Sequence, residues 1–322
     1  MTIHPDALGI DIAKHHLDIF DPRGGGVRRI ANTAEAAATL AAGLTKRGCL
    51  VVMEATGRYD AALRQALATA GVAHARVNPE QARDFARAIG RRAKTDAIDA
   101  RMLAEMGRRL VLRPESPPDP ERERLAALNR RRDQLVAMRK QERTRRAECD
   151  EPGLGASLDE HLAWLDAAVA RLNREIAAAI SASPALCRTA TLLRSAPGVG
   201  PVTATVLLAA MPELGRASPK AVAALGGLAP YNNDSGARTG QRSVRGGRKR
   251  VRDALYMAAV SAARTKTRLG DFHRALRHAG KPPKLALIAL ARKLLTILNA
   301  VARDKTAFAS YQHSCRVKPE VT

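Results

Sequence analysis

Residues 7–20, ALGIDIAKHHLDIF, decide the fold class. Two apolar runs, Ala7–Ala13 and Leu17–Phe20, flank a short polar break, which is the pattern of two consecutive strands. Asp11 is the one charge inside the first run. Outward from there, the turn Pro22–Gly26 leads to a third strand near Val27–Ala31. An alanine-rich helix is expected over 34–47, and Leu50–Met53 reads as a short buried strand ending at Glu54. A helix over 59–70, a strand over Val72–Val77 and helices near 79–89 and 95–109 follow. Three strands and then alternating helix and strand give a mixed sheet covered by helices, an α/β domain over residues 1–112.

The stretch 113–120, RPESPPDP, holds four prolines and marks a boundary, because proline excludes helix interior and favours extended chain. A long charged helix over 121–148 carries Leu125, Leu128, Leu135 and Met138 on a heptad frame. Pro152, Gly153 and Gly155 interrupt it within 151–157, and a second arm repeats Leu158, Leu162, Leu165, Val169, Leu172, Ile176 and Ala179 at alternating steps of four and three. Two such arms predict an antiparallel coiled-coil hairpin, 113–184. Residues 185–322 read as a mainly helical third region. Helices over 185–195 and 201–211 surround Pro197–Gly200 in a helix-hairpin-helix-like arrangement, and two more helices, 251–268 and 283–304, close the chain.

The 322 residues carry 54 Lys plus Arg against 31 Asp plus Glu, a formal charge of +23 that points to a polyanion, nucleic acid first. Aromatic residues are only 3%, which disfavours recognition built on stacked bases. The four cysteines form no C-x-x-C pair, so a zinc knuckle or disulfide framework is not expected. No secretory leader is legible at the N-terminus, and Arg292 and Lys293 interrupt the apolar stretch 285–302, so the expected home is the cytoplasm, beside the nucleoid, with no membrane partner.

Four carboxylates stand out by position. Asp11 lies inside a strand, Glu54 ends another, and Asp96 and Asp99 share one face of the helix in KTDAIDARML. A carboxylate in a strand core is costly without a compensating cation, and several together repel. Oxygen-only ligands suit Mg²⁺, with Mn²⁺ as a substitute. Two such ions about 3.5–4 Å apart stabilise both the attacking and the leaving oxygen of a phosphodiester. Taken singly, each acid also reads as a cap, a turn residue or a surface charge. Jointly they match a ribonuclease-H-like arrangement.

Residues 226–256, GGLAPYNNDSGARTGQRSVRGGRKRVRDALY, form a glycine-rich cationic segment. Seven basic residues and no acid lie between Arg238 and Arg252. Ser235 sits in the tight-turn tetrapeptide Asn233–Gly236. By spacing alone it reads as a turn former, with Ser243 a competing hydroxyl. As a nucleophile it needs an activating base or metal and cations for the phosphoryl oxygens, which Arg238, Arg242, Arg245, Arg248 and Lys249 supply. In the hairpin, Arg130, Arg131 and Arg132 read as a phosphate- or protomer-contacting group rather than a merely solvated face.

These motifs together resemble the transposases of the insertion-sequence-110 family. The resemblance rests on GIDIAK, VVMEATGRY, AKTDAIDARMLA, SAPGVGPVTA and AALGGLAPYNNDSGARTGQRSVRGGRKRVRDALYMAA. It implies a RuvC-like first domain in which Asp11, Glu54, Asp96 and Asp99 hold Mg²⁺, a hairpin used for assembly, and Ser235 as the nucleophile that joins covalently to DNA. It also implies a homo-oligomer, donor and target DNA as substrates, and a bridge-type guide RNA. The competing readings are a metal-only nuclease for branched DNA and a non-catalytic nucleic-acid-binding protein.

Overall fold

Strand β1 (Ala7–Ile12) is buried at every position except Asp11, which is half-buried. That near-continuous burial marks a strand flanked on both edges and covered on both faces. The structure is a computed structural model that describes residues 4–55, 57, 59–90, 96–115, 119–231 and 243–311, with backbone alone at 96 and 97. β1 lies at the centre of a five-stranded sheet of order β3-β2-β1-β4-β5. β2 (His16–Phe20) and β3 (Val27–Ala31) run antiparallel on one side. β4 (Leu50–Glu54) and β5 (His74–Val77) run parallel to β1 on the other. The expected strands and mixed sheet are thus present.

The pleat sorts side chains between two layers. Leu8, Ile10, Ile12, Val51 and Met53 point to α1 (Ala34–Leu44) and α2 (Ala61–Thr69), where they meet Leu40, Leu44, Leu63 and Leu67. Ala7, Leu50, Val52, Ala75 and Val77 point to the opposite layer, α3 (Pro79–Ala88) and α4 (Asp96–Arg109), against Ala82, Met102, Leu103 and Met106. Helix α4 lies almost on the backbone of β1. A Cβ added to Gly9 would stand 1.9 Å from the Ala100 carbonyl oxygen, and one added to Gly107 would stand 2.7 Å from Ala7 Cβ and from Val52 Cγ2. Glycine on each partner is what admits this approach.

Residues 1–119 form one compact unit and 120–322 a second. In the second, α5 (Pro120–Ala147) and α6 (Pro152–Ala182) pack side by side as an antiparallel hairpin. Leu135, Leu165, Ala168 and Val169 give the hairpin a small core of its own. At its base, Leu125 and Ile176 join the main core formed with the later helices. The expected break over 151–157 is narrower than the glycines suggest, because α6 already begins at Pro152. Proline at the first helical position lacks only an N–H that would have no partner, and the Glu151 side chain caps the Leu154 N–H.

Helices α7 (Pro184–Arg194) and α8 (Pro201–Ala210) follow. Between α9 (Pro219–Leu225) and α10 (Lys249–Ala262) a two-stranded ribbon pairs β6 (Pro230–Tyr231) with β7 (Ser243–Val244). Helices α11 (Arg268–His278) and α12 (Pro283–Asp304) complete the helical core, so 12 α-helices are present among the described residues. α12 is the one described single helix long and apolar enough to cross a bilayer, and its apolar residues Leu290, Leu294, Leu295, Leu298 and Val301 pack into the core of the unit. Gly198 in the α7–α8 turn has φ +81°, and a Cβ there would stand 2.2 Å from the Ala258 carbonyl oxygen. The turn is therefore seated on α10.

Candidate functional site

The register of the sheet brings the first two acids together. β1 and β4 are parallel, with Gly9 beside Val52 and Ile10 beside Met53. One residue further along, Asp11 stands beside Glu54 at the carboxyl ends of both strands. In a parallel ladder, neighbours in register point to the same face, so the two carboxylates share the α4 side. Both are half-buried. β1 is also where the chain's neighbours reverse, with β2 on one edge and β4 on the other. Open α/β sheets bind ligands at the carboxyl ends of strands at such a reversal.

Helix α4 supplies the lid of this corner. Gly107 sits over Ala7, and Ala100 and Ala104 sit over Gly9. The helix therefore runs antiparallel to β1, and its first turn lies at the Asp11–Glu54 end. Asp99 is half-buried there. Asp96 opens the helix, and its side chain lies outside the described residues. The close approach at Gly9 thus sets how near the α4 acids come to the strand acids. Among the described residues, no three acidic, histidine or cysteine side chains gather closely enough to hold a metal ion. Asp11, Glu54 and Asp99 without Asp96 do not close a cage.

A fifth carboxylate adjoins this corner. Asp18 is the cross-strand partner of Asp11 and is 3% exposed. Arg29 on β3 donates to it twice, from Nε and Nη2, both at 2.8 Å. His16 Nε2 stands 3.5 Å away. The signal for Asp18 is present in LDIF, where it interrupts an apolar run much as Asp11 does in LGIDIA. Arg101 of α4 lies over the Phe20 ring at 5.2 Å, a cation–π contact that ties the helix to β2.

Residues 232–242 of the cationic segment, Ser235, Arg238 and Arg242 among them, lie outside the described residues. On either side of them, Pro230 pairs with Val244 and Tyr231 with Ser243. Behind the ribbon, the glycine pairs meet backbone to backbone. A Cβ on Gly247, where φ is +62°, would stand 2.3 Å from the Gly227 nitrogen. The Arg248 N–H donates to the Leu225 carbonyl at 2.8 Å, and Arg252 Nη1 donates to the Gly246 carbonyl at 2.8 Å. Arg245 lies over the Tyr231 ring at 5.5 Å.

Two of the expected phosphate clamps are engaged inside the protein. Arg248 forks onto Glu213, with both bonds at 2.6 Å. Burial pushes the Glu213 carboxyl up, but the Arg248 fork and the cations near it outweigh that and hold it below its ordinary range. Lys249 pairs with Asp253 one turn along α10 at 2.6 Å and is otherwise exposed. In the hairpin, Arg130 and Arg131 are exposed, whereas Arg132 reaches across to Asn173 Oδ1 at 2.6 Å.

Comparison with known proteins gives consistent matches. Residues 8–149 match a transposase family, the DEDD transposases of IS110 type, and residues 190–274 match a second, the IS116/IS110/IS902 transposases. The chain is 32% identical over 276 residues to a pilin gene-inverting protein of Moraxella bovis, spanning 82% of this chain and 83% of that one. It is 32% identical over 142 residues to an IS110 insertion-element protein of Streptomyces coelicolor, spanning 43% of this chain and 34% of that one. It is 30% identical over 211 residues to an IS116 insertion-element protein of Streptomyces clavuligerus, spanning 65% and 48% respectively.

Proposed function

The chain belongs to the IS110 family of transposases, and from that premise we propose that it breaks and rejoins DNA by serine-nucleophile transesterification at a Mg²⁺-loaded acidic corner of a RuvC-like unit. The observation that carries this reading is the β1–β4 register, which sets Asp11 beside Glu54 beneath the first turn of α4. The sheet order β3-β2-β1-β4-β5 supports the ribonuclease-H-like class. The donor chemistry fits a hard divalent cation, since every ligand offered is a carboxylate. Asp11, Glu54, Asp96 and Asp99 would hold it, with Asp96 completing the set. When bound, Mg²⁺ neutralises charge on the scissile phosphate and on the leaving oxygen.

In this reading the Ser235 hydroxyl attacks phosphorus of a DNA phosphodiester. A phosphoserine ester forms, the bond from phosphorus to the leaving sugar oxygen breaks, and the serine proton ends on that oxygen. Attack by a sugar hydroxyl of the exchanged strand reverses the step and frees the serine. Arg238, Arg242 and Arg245 orient phosphate oxygens as point contacts and forks. The relative named for inverting a pilin gene supports strand exchange between two sites. Low aromatic content and the +23 charge suit a complex that holds a guide RNA and two DNAs by backbone contact, with base pairing supplying sequence. A homo-oligomer would let the acids of one protomer serve the serine of another, with the hairpin joining copies.

The test uses full-length protein, its guide RNA and donor DNA. Asp11→Asn and Glu54→Gln are expected to abolish cleavage while leaving DNA binding. Ser235→Ala is expected to abolish the covalent protein–DNA adduct. Cleavage by Ser235→Ala at the wild-type rate, with no adduct in wild type, would replace this reading with that of a metal-dependent nuclease.

A further inference from the structure

The base of the hairpin meets α7 and α8 around a cavity of about 430 Å³. That volume lies in the range of small-ligand sites. Ile176 and Ile180 of α6 contribute apolar wall, and Arg132 of α5 and Arg194 of α7 contribute cations. Asn129 of α5 also lines it. This asparagine is 1% exposed, and its Nδ2 is buried with no hydrogen-bond partner. A buried amide donor without a partner is destabilising, so it asks for a ligand that would satisfy it.

We propose that this cavity receives a single unpaired nucleobase of a bound nucleic acid, an inference that rests on the transposase reading above. A nucleobase has two apolar faces and a polar edge of donors and acceptors. Apolar side chains accept the faces, and the Asn129 amide, itself donor and acceptor, matches the edge. Arg132 and Arg194 answer the phosphates that flank an extruded nucleotide. The chain has 3% aromatic residues, so an apolar cleft takes the place of a flat stacking platform. DNA and RNA share this chemistry.

Cys187 is exposed and lines the cavity, which provides a reporter. Alkylation of Cys187 in the full-length protein by a small maleimide is followed by peptide mass spectrometry. The probes are DNA and RNA hairpins with one bulged base, the same hairpins with an abasic residue at the bulge, and fully paired duplexes. The bulged base is expected to slow alkylation about tenfold relative to its abasic counterpart, the scale of one buried base. Protection by the DNA bulge alone or the RNA bulge alone identifies the source. Equal protection by bulged and abasic probes overturns the proposal, as does protection that grows with protein concentration alone, which would mark a second copy in the slot. Ala177→Phe, on the rim of the cavity, is expected to weaken bulge binding about tenfold with duplex binding unchanged. If wild type binds bulge and duplex equally, the slot reading fails while the transposase reading stands. Failure to bind any probe removes both.

Discussion

Asp11 on β1 and Asp18 on β2 are register partners, so two carboxylates face each other across the central ladder on the side covered by α4. Like charges directly opposite destabilise a sheet. The two are treated differently by the fold. Asp18 is sealed in and doubly bonded to Arg29, while Asp11 stays half-buried at the open corner with Glu54. Arg29 thereby offsets the charge that would otherwise repel Asp11.

Arg29→Met is expected to destabilise the N-terminal unit by about 1.5–3 kcal/mol, the worth of hydrogen bonds to a charged group. Urea unfolding measures it. Arg29→Lys should recover only part of the loss, because an ammonium cannot reproduce the two-pronged geometry. Equal stability of wild type and Arg29→Met would show that Asp18 needs no counterion.

Gly9→Ala tests the seat of α4. The new methyl would stand 1.9 Å from the Ala100 carbonyl oxygen, so the helix must lift. Overpacking of this kind costs about 1–3 kcal/mol. DNA binding is expected to persist while strand cleavage falls, because the first turn of α4 moves away from Asp11 and Glu54. Thermal unfolding alongside a cleavage assay separates the two effects.

The Glu213–Arg248 fork sets an acid limb. The Glu213 carboxyl is held below its ordinary value of 4.5 in the folded chain. Its contribution is therefore complete above that value and is lost as pH falls through the lower folded one. Glu213→Gln should melt at lower temperature than wild type near neutrality, and the gap should close as the solution is acidified below the ordinary carboxylate range. A gap that widens in acid would reverse the assigned direction.

Arginines of the hairpin are expected to divide by exposure. Arg130→Gln with Arg131→Gln should lower the salt slope of nucleic-acid affinity by about two, one for each phosphate no longer neutralised. Arg132→Leu removes the bond to Asn173 and should lower hairpin stability while changing the slope by about one at most. Fluorescence titration at three salt concentrations distinguishes them.

Much of the N-terminal unit is legible in the sequence because its signals are local. Alternation along ALGIDIA and LDIF marks strands, and the apolar run LVVM marks a buried one. Glu54 and Asp11 are legible as a pair because both interrupt or end such runs. The role of Gly9 is not, since a close approach between β1 and α4 leaves no periodic trace. In the second unit, the helix expected over 251–268 ends at Ala262 and a separate α11 begins at Arg268, and the β6–β7 ribbon is too short to show alternation. The ribbon has two residues on each side, and only tertiary contact makes it form. The start of α6 is displaced because Pro152 reads as a breaker when it opens the helix. Arg248 looks like a free cation in the sequence, and its partner Glu213 lies 35 residues away.

The glycine-on-glycine crossing of residues 227 and 247 has a mechanical corollary. The ribbon, that crossing and the Arg252 bonds fasten both ends of the serine-bearing stretch within its immediate neighbourhood. The pairing on either side of 232–242 therefore rests on contacts among residues 227–252 that the structure describes, and a side chain at position 227 or 247 would part both flanks at once.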